Sequence, residues 1–204
     1  MVTARRGDTR ARIQQVALEL FAEQGYERTS LREVAERLGV TKAALYYHFK
    51  SKEDIVRSFT EDYFAQLDAL VDWGQSQPPS VHRAHDILER YIGIVVDGSE
   101  VFMFLERNQA LVHASEEDGK NHRFEHFRPR LNALVDVIAG RGVPPRSRIR
   151  ATAAIFAVSA SCMFFMKDSD RPAPGEPHQD VPSRDELRKI VLEIADDLTS
   201  DIGG

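Results

Sequence analysis

The sequence predicts an all-α fold, with a three-helix helix-turn-helix head followed by a helical-bundle body. Three observations predict it. Apolar residues recur at helical spacing through most of the chain, with no alternating stretch and no hairpin signal. Start and stop signals divide the first fifty residues into short helices. Charge separates the two parts: residues 1–58 carry +3 and the remainder −8, within a net charge of −5. The net value alone argues against a nucleic-acid partner. A basic head on an acidic body reverses that, because it confines phosphate binding to one end.

Taken in order, residues 1–8 are expected to be a disordered arm with Arg5 and Arg6. Such an arm either frays or lies along phosphates and in a minor groove. The first helix is expected from about Thr9 to Gln24, with Ile13, Val16, Ala17, Leu20 and Phe21 on one stripe and Gly25 as its stop. Ser30 and Glu33 have the spacing of a capping box, so a second helix runs Leu31–Leu38 and ends at Gly39. Thr41 can cap a third helix, Lys42–Phe49. Two helices joined that closely form a helix-turn-helix, whose second helix enters the major groove.

Residue spacing orients that second helix. Leu45 and Phe49 share one side and point inward, while Tyr47 lies half a turn away, flanked by Ala43 and Ala44. Small residues there allow close approach to base edges. Lys42, Tyr46 and His48 stand on the shoulders, towards the phosphate strands. Ser51 caps a fourth helix that opens with Lys52, where a helix N-terminus and a cation both favour phosphate. Two adjacent tyrosines cannot both face the core that Leu45 and Phe49 define.

The stretch TKAALYYHFKSKEDIV, preceded by TSLREVAERLGV, resembles the amino-terminal DNA-binding domain of TetR-type (TetR/AcrR) transcriptional regulators. The resemblance covers roughly residues 9–58. It implies an all-helical homodimer that binds a palindromic operator as a repressor and is released by a small molecule held in the carboxy-terminal domain. Carried over by position, it implies that Lys42, Ala43 and Tyr47 lie nearest the bases, and that Thr29, Ala44, Tyr46, His48 and Lys52 meet phosphates. Ala44 departs from the Thr or Gly often found there and offers only its backbone. With the cap Thr41, these residues are the expected DNA-binding set. The expected domains are 1–52 for DNA binding and 53–204 for ligand binding and dimerisation.

Apolar spacing continues from Lys52 through Ile55, Phe59, Tyr63, Leu67 and Leu70 to about Trp73. A helix of ~20 residues is ~30 Å long and can join head to body as a lever. Pro78 and Pro79 end it. Further helices are expected at about 81–97, 100–114, 118–140, 145–167 and 183–200, with a proline-rich loop over Asp168–Pro182. Ala153, Ala154, Ala157 and Ser161 suit close helix packing, and Leu187, Ile190, Val191, Ile194 and Leu198 make a stripe on the last helix. The last two helices are therefore expected to form a four-helix dimer interface with their symmetry mates.

A single cysteine, Cys162, excludes an intramolecular disulfide, and the charged amino terminus lacks a signal core. The apolar run Ala151–Met166 has 16 residues, short of the ~20 of a membrane span, so no membrane partner is expected and the protein is placed in the cytoplasm.

Aromatic residues and Met concentrate in the middle of the body, where their default role is core. With polar neighbours they would line a pocket for a small hydrophobic effector, and the candidates are Phe102, Phe104, Glu106, Asn108, His113, Phe127, Phe156 and Met163. An enzyme reading has one local match. His122, Glu125 and His126 fit H-x-x-E-H, a zinc-hydrolase pattern that arises easily by chance and lacks a third ligand downstream. His82, His85 and Glu89 share a face with the same standing. No catalytic residue, metal or cofactor is expected. The remaining alternative is a helical scaffold that does not bind DNA.

Overall fold

The computed structural model of the chain describes residues 2–78, 80–108, 123–169 and 182–202, with side chains for all of these except 2–8, 81, 106, 123–127 and 167–169. Among the described residues there are helices and turns and no strand. The helices are α1 (Val2–Gln24), α2 (Leu31–Leu38), α3 (Lys42–His48), α4 (Lys52–Ser76), α5 (Val81–Asp97), α6 (Ser99–Arg107), α7 (Arg123–Ala139), α8 (Pro145–Ser169) and α9 (Arg184–Thr199). The all-α expectation holds, and most boundaries fall within a few residues of their signals.

The exceptions have physical reasons. Helix α1 begins at Val2, not Thr9. Gly7 is the only breaker in residues 2–8, and one glycine costs about 1 kcal/mol without stopping a helix. Helix α3 stops at His48, because Phe49 is extended (φ −137°, ψ 132°). Residues 109–122 and 170–181 lie outside the described residues, and with them most of the expected helix ends at 114 and 118 and of the expected loop.

Two compact units divide the chain. One comprises Met1–Phe64 with Glu100–Gln109, the other Ala65–Ser99 with Ala110–Gly204. Helix α4 contributes its first half to one and its second half to the other. In the first unit, Ile13, Ala17 and Phe21 of α1, Val34 of α2, Leu45 of α3 and Ile55 of α4 are sealed together. Gln14 on α1 donates to Ser58 Oγ and Asp62 Oδ2 on α4, both at 2.8 Å, so the polar group within this core is satisfied. Phe104 of α6 completes the unit, 5.3 Å from the rings of both Phe21 and Phe59.

The second unit packs α9 on α8 and α5, and α7 on α8 and α5. Ala151 and Ala154 on α8 are fully buried, which lets the helices approach closely. The Tyr91 hydroxyl on α5 is 2.7 Å from Ser159 Oγ on α8, and burial pushes its pKa up to about 12. Gly74 in α4 is closely covered by its neighbours. A Cβ there would lie 2.5 Å from Val137 Cγ1 on α7 and 3.1 Å from Ile87 Cδ1 on α5.

The apolar run lies in the helix expected over about 145–167, but the apolar stretch is longer than Ala151–Met166. Pro145–Met166 is 22 residues and, by length and composition alone, long enough to cross a membrane. Its inner side nevertheless packs on protein through Ala151, Ile155, Val158 and Cys162. Arg148 pairs with Asp136 and Arg150 with Asp201, as in a helix that belongs to a bundle.

The stripe on α9 also divides. Leu187, Val191 and Ala195, four residues apart, are buried, whereas Ile190 and Ile194 on the next row stand exposed.

Candidate nucleic-acid interface

Local chemistry builds the helix-turn-helix as its spacing predicts. The Ser30 hydroxyl accepts from the Glu33 amide, and the Ser30 amide donates back to Glu33 Oε2 at 2.7 Å. The same serine hydroxyl holds the Glu33 carboxyl below its ordinary pKa. Helix α2 ends at Gly39, whose φ of 73° is one a side chain rarely adopts. The Thr41 hydroxyl then accepts from the Ala44 amide at 3.1 Å and starts α3.

Side-chain placement on α3 follows the helical period. Leu45 is fully buried and Phe49 nearly so, while Ala43, Ala44, Tyr46 and Tyr47 are exposed. Tyr47 projects furthest, at 63% exposure, and its ring meets the His48 imidazole edge to face at 5.3 Å. The Lys42 ammonium lies over the Tyr46 ring at 5.4 Å. Lys50 Nζ donates to the Tyr46 carbonyl at 2.7 Å, which closes the last turn of the helix.

The arrangement is thus a short convex helix with small residues, an outward aromatic and flanking cations. It can enter a groove and meet phosphates on either side.

Two expected phosphate residues point elsewhere. Thr29 is 1% exposed, its hydroxyl donating to the Gly25 carbonyl at 2.8 Å and accepting from Gln24 Nε2, so its side chain secures the turn after α1. Lys52 turns its ammonium into the protein. It donates to the Tyr26 carbonyl at 2.8 Å and lies 4.4 Å over the Tyr26 ring. The Thr29 contact is local, with Gly25 four residues back, whereas the Lys52 partner lies 26 residues away in the turn after α1, where no spacing rule points. One cation was missed altogether. Arg10 of α1 stacks over the Phe49 ring at 4.8 Å, beside the end of α3, and no spacing rule links positions 39 residues apart.

Five of the eight candidate pocket residues have described side chains, three in the first unit and two in the second. Phe104 sits in the core of the first unit against Phe21, Tyr26 and Phe59. Phe102 is half-buried, and Asn108, also half-buried, donates its amide to the Phe104 carbonyl. Phe156 and Met163 are exposed on α8, at 54% and 41%. The side chains of Glu106, His113 and Phe127 lie outside the described residues. So do those of His122, Glu125 and His126. Among the described residues no group of three His, Cys, Asp or Glu side chains is placed to hold a metal ion.

Comparison with known proteins agrees with this geometry. Residues 13–59 match the family model of bacterial regulatory proteins, tetR family. The HTH-type transcriptional regulator AcrR of Shigella flexneri is 48% identical over 54 residues, 26% of this chain and 25% of that protein. The chain aligns with less than half the length of the curated relatives it matches. Solved structures extend the likeness to the body. A transcriptional regulator from Aquifex aeolicus VF5 has a TM-score of 0.63 at 20% identity, covering 91% of this chain and 96% of that one. FadR of Bacillus subtilis, solved in complex with stearoyl-CoA, has a TM-score of 0.58 at 16% identity, covering 94% and 98%. The fold of the chain is the one these regulators have, and its amino-terminal module belongs to the tetR family of bacterial regulatory proteins.

Proposed function

We propose that the chain is a ligand-responsive, DNA-binding transcriptional regulator, a cytoplasmic repressor and not an enzyme. As a homodimer it binds a palindromic operator, and a small hydrophobic effector releases it. One observation carries the DNA reading: α3 buries Leu45 and Phe49 and holds out Tyr47 between small residues, with Lys42 and His48 beside it. Residues 1–52 act as the DNA-binding domain and 53–204 as the ligand-binding and dimerisation domain. Thr41, Ala43, Ala44, Tyr46 and Tyr47 face the duplex.

The dimer reading is supported by α8 and α9. Phe156, Phe164, Ile190 and Ile194 are 44–64% exposed in the single chain. Covering a large apolar side chain stabilises by about 1.5–3 kcal/mol, so a second copy laid on this face has ample driving force. Two heads then meet successive major grooves ~34 Å apart. The effector is proposed as apolar by analogy with FadR, whose structure holds an acyl-CoA. Its binding tilts α4 and alters head spacing, provided that it binds the two states with different affinity.

Selection of bound duplexes from a random DNA pool tests the reading. Enrichment of a palindrome is the expected result. An asymmetric site would remove the dimer from the proposal, and no enrichment would remove DNA binding altogether.

A further inference from the structure

Helix α3 reads Lys-Ala-Ala-Leu-Tyr-Tyr-His and holds no Arg, Asn, Gln, Asp or Glu. Those side chains carry the donors and acceptors that match guanine, adenine and cytosine edges in the major groove. Steps of 100° place Ala43 and Tyr47 on the row opposite the buried Leu45. Ala44 and His48 flank that row on one side, Lys42 and Tyr46 on the other. Ala43 and Ala44 are both exposed, so the middle of the face offers two methyl groups beside the Tyr47 ring. The nearby polar groups are directed elsewhere. The Lys42 ammonium lies over the Tyr46 ring at 5.4 Å, on the flank. The Thr41 hydroxyl accepts from the Ala44 amide at 3.1 Å, and Lys50 Nζ donates to the Tyr46 carbonyl at 2.7 Å. The half-buried His48 imidazole meets the Tyr47 ring edge to face at 5.3 Å.

Resting on the DNA-binding function proposed above, we infer that this face selects its half-site by the C5-methyl groups of thymine. Ala43 and the Tyr47 ring pack on one thymine methyl, and Ala44 packs on another. Thymine alone among the four bases presents an apolar group in the major groove. A guanine, adenine or cytosine edge set against the same methyls would lose water from its polar groups and gain no partner, which is a penalty against those bases. Side-chain size fits this role. Contact between two methyl groups needs carbon atoms about 4 Å apart, and a longer side chain at position 43 would hold the helix away from the floor of the groove.

Deoxyuridine differs from thymidine only by lacking that methyl, so it tests the contact without disturbing base pairing. The experiment uses the full-length chain and the duplex it selects, with each thymine of one half-site replaced in turn by deoxyuridine. Replacement at two positions is expected to weaken binding by about fourfold each, the effect of burying one methyl group. Replacement elsewhere is expected to leave affinity unchanged. Ala43→Gly should bring the thymine-to-deoxyuridine ratio below about twofold at one of the two positions and keep it at the other, and Ala44→Gly should do the reverse. Each ratio is taken within one protein, so a general loss of affinity or of helix stability caused by glycine cancels. A selected half-site without thymine, or deoxyuridine tolerated at every position, overturns the inference and leaves DNA binding standing. Ratios that are the same in the wild type and both variants remove the reading from α3. A chain that enriches no duplex sinks the functional proposal itself, and the inference with it.

Discussion

Leu45 and Tyr47, two residues apart on α3, stand in opposite surroundings: the first is fully buried and the second is 63% exposed. Two steps of 100° carry a side chain from one face of a helix to the other. Tyr47 is therefore held out on the face proposed for the duplex. Tyr47→Ala is expected to lower affinity for the selected duplex by about 1–3 kcal/mol, about 5- to 150-fold. Far-UV circular dichroism and Tm should stay at wild-type values. A scaffold that never meets DNA would leave gel-shift behaviour untouched by this change.

The exposed rows of α8 and α9 lead to a second expectation. Phe156→Asp combined with Ile194→Asp places charge on the face proposed for a second copy, where neither side chain supports the monomer core. Sedimentation velocity should then give a monomer with unchanged helical content. If the wild-type chain already sediments as a monomer at micromolar concentration, the proposed interface is wrong.

Gly74 tests the packing of the second unit. Gly74→Ala would drive its Cβ into Val137 Cγ1 and Ile87 Cδ1. Overpacking of this kind costs about 1–3 kcal/mol, which in a chain this long lowers Tm by about 2–4 °C per kcal/mol. Adding Val137→Ala should recover part of the loss. Gly39→Ala should behave differently, since nothing lies within 4 Å of its Cβ position and only the φ of 73° opposes it. No change in Val137 can rescue that variant.

The pairing of Tyr26 with Glu53 predicts a pH dependence. The Tyr26 hydroxyl is the main cause holding the Glu53 carboxyl below its ordinary pKa, and burial, then the Glu53 hydrogen bond, raises the Tyr26 phenol. A carboxyl depressed in the folded state contributes stability above its unfolded pKa and loses it as pH falls through the folded one. Tyr26→Phe should therefore be less stable than wild type at pH 7, with the gap narrowing as pH falls below the ordinary glutamate range. The carboxylate is mostly solvated, so the gap amounts to about a degree or two of Tm. Parallel melting curves from pH 7 to 3 check it, and a gap that widens in acid contradicts the assignment.

The local rules were legible where cause and effect are close in sequence. Capping at Ser30 and Thr41, the stop at Gly39 and the inward pair Leu45 and Phe49 each depend on neighbours within four residues. Helix type, the turn and the outward face of α3 followed from them. The tertiary structure decided where long side chains go once helices distant in sequence meet. Lys52 turned its ammonium to the Tyr26 carbonyl, 26 residues away in sequence. Phe104 packs in the core of the first unit, while Phe156 and Met163 stand exposed on α8. Helical period assigns a residue to a row, but which neighbour covers that row depends on contacts that no local spacing records.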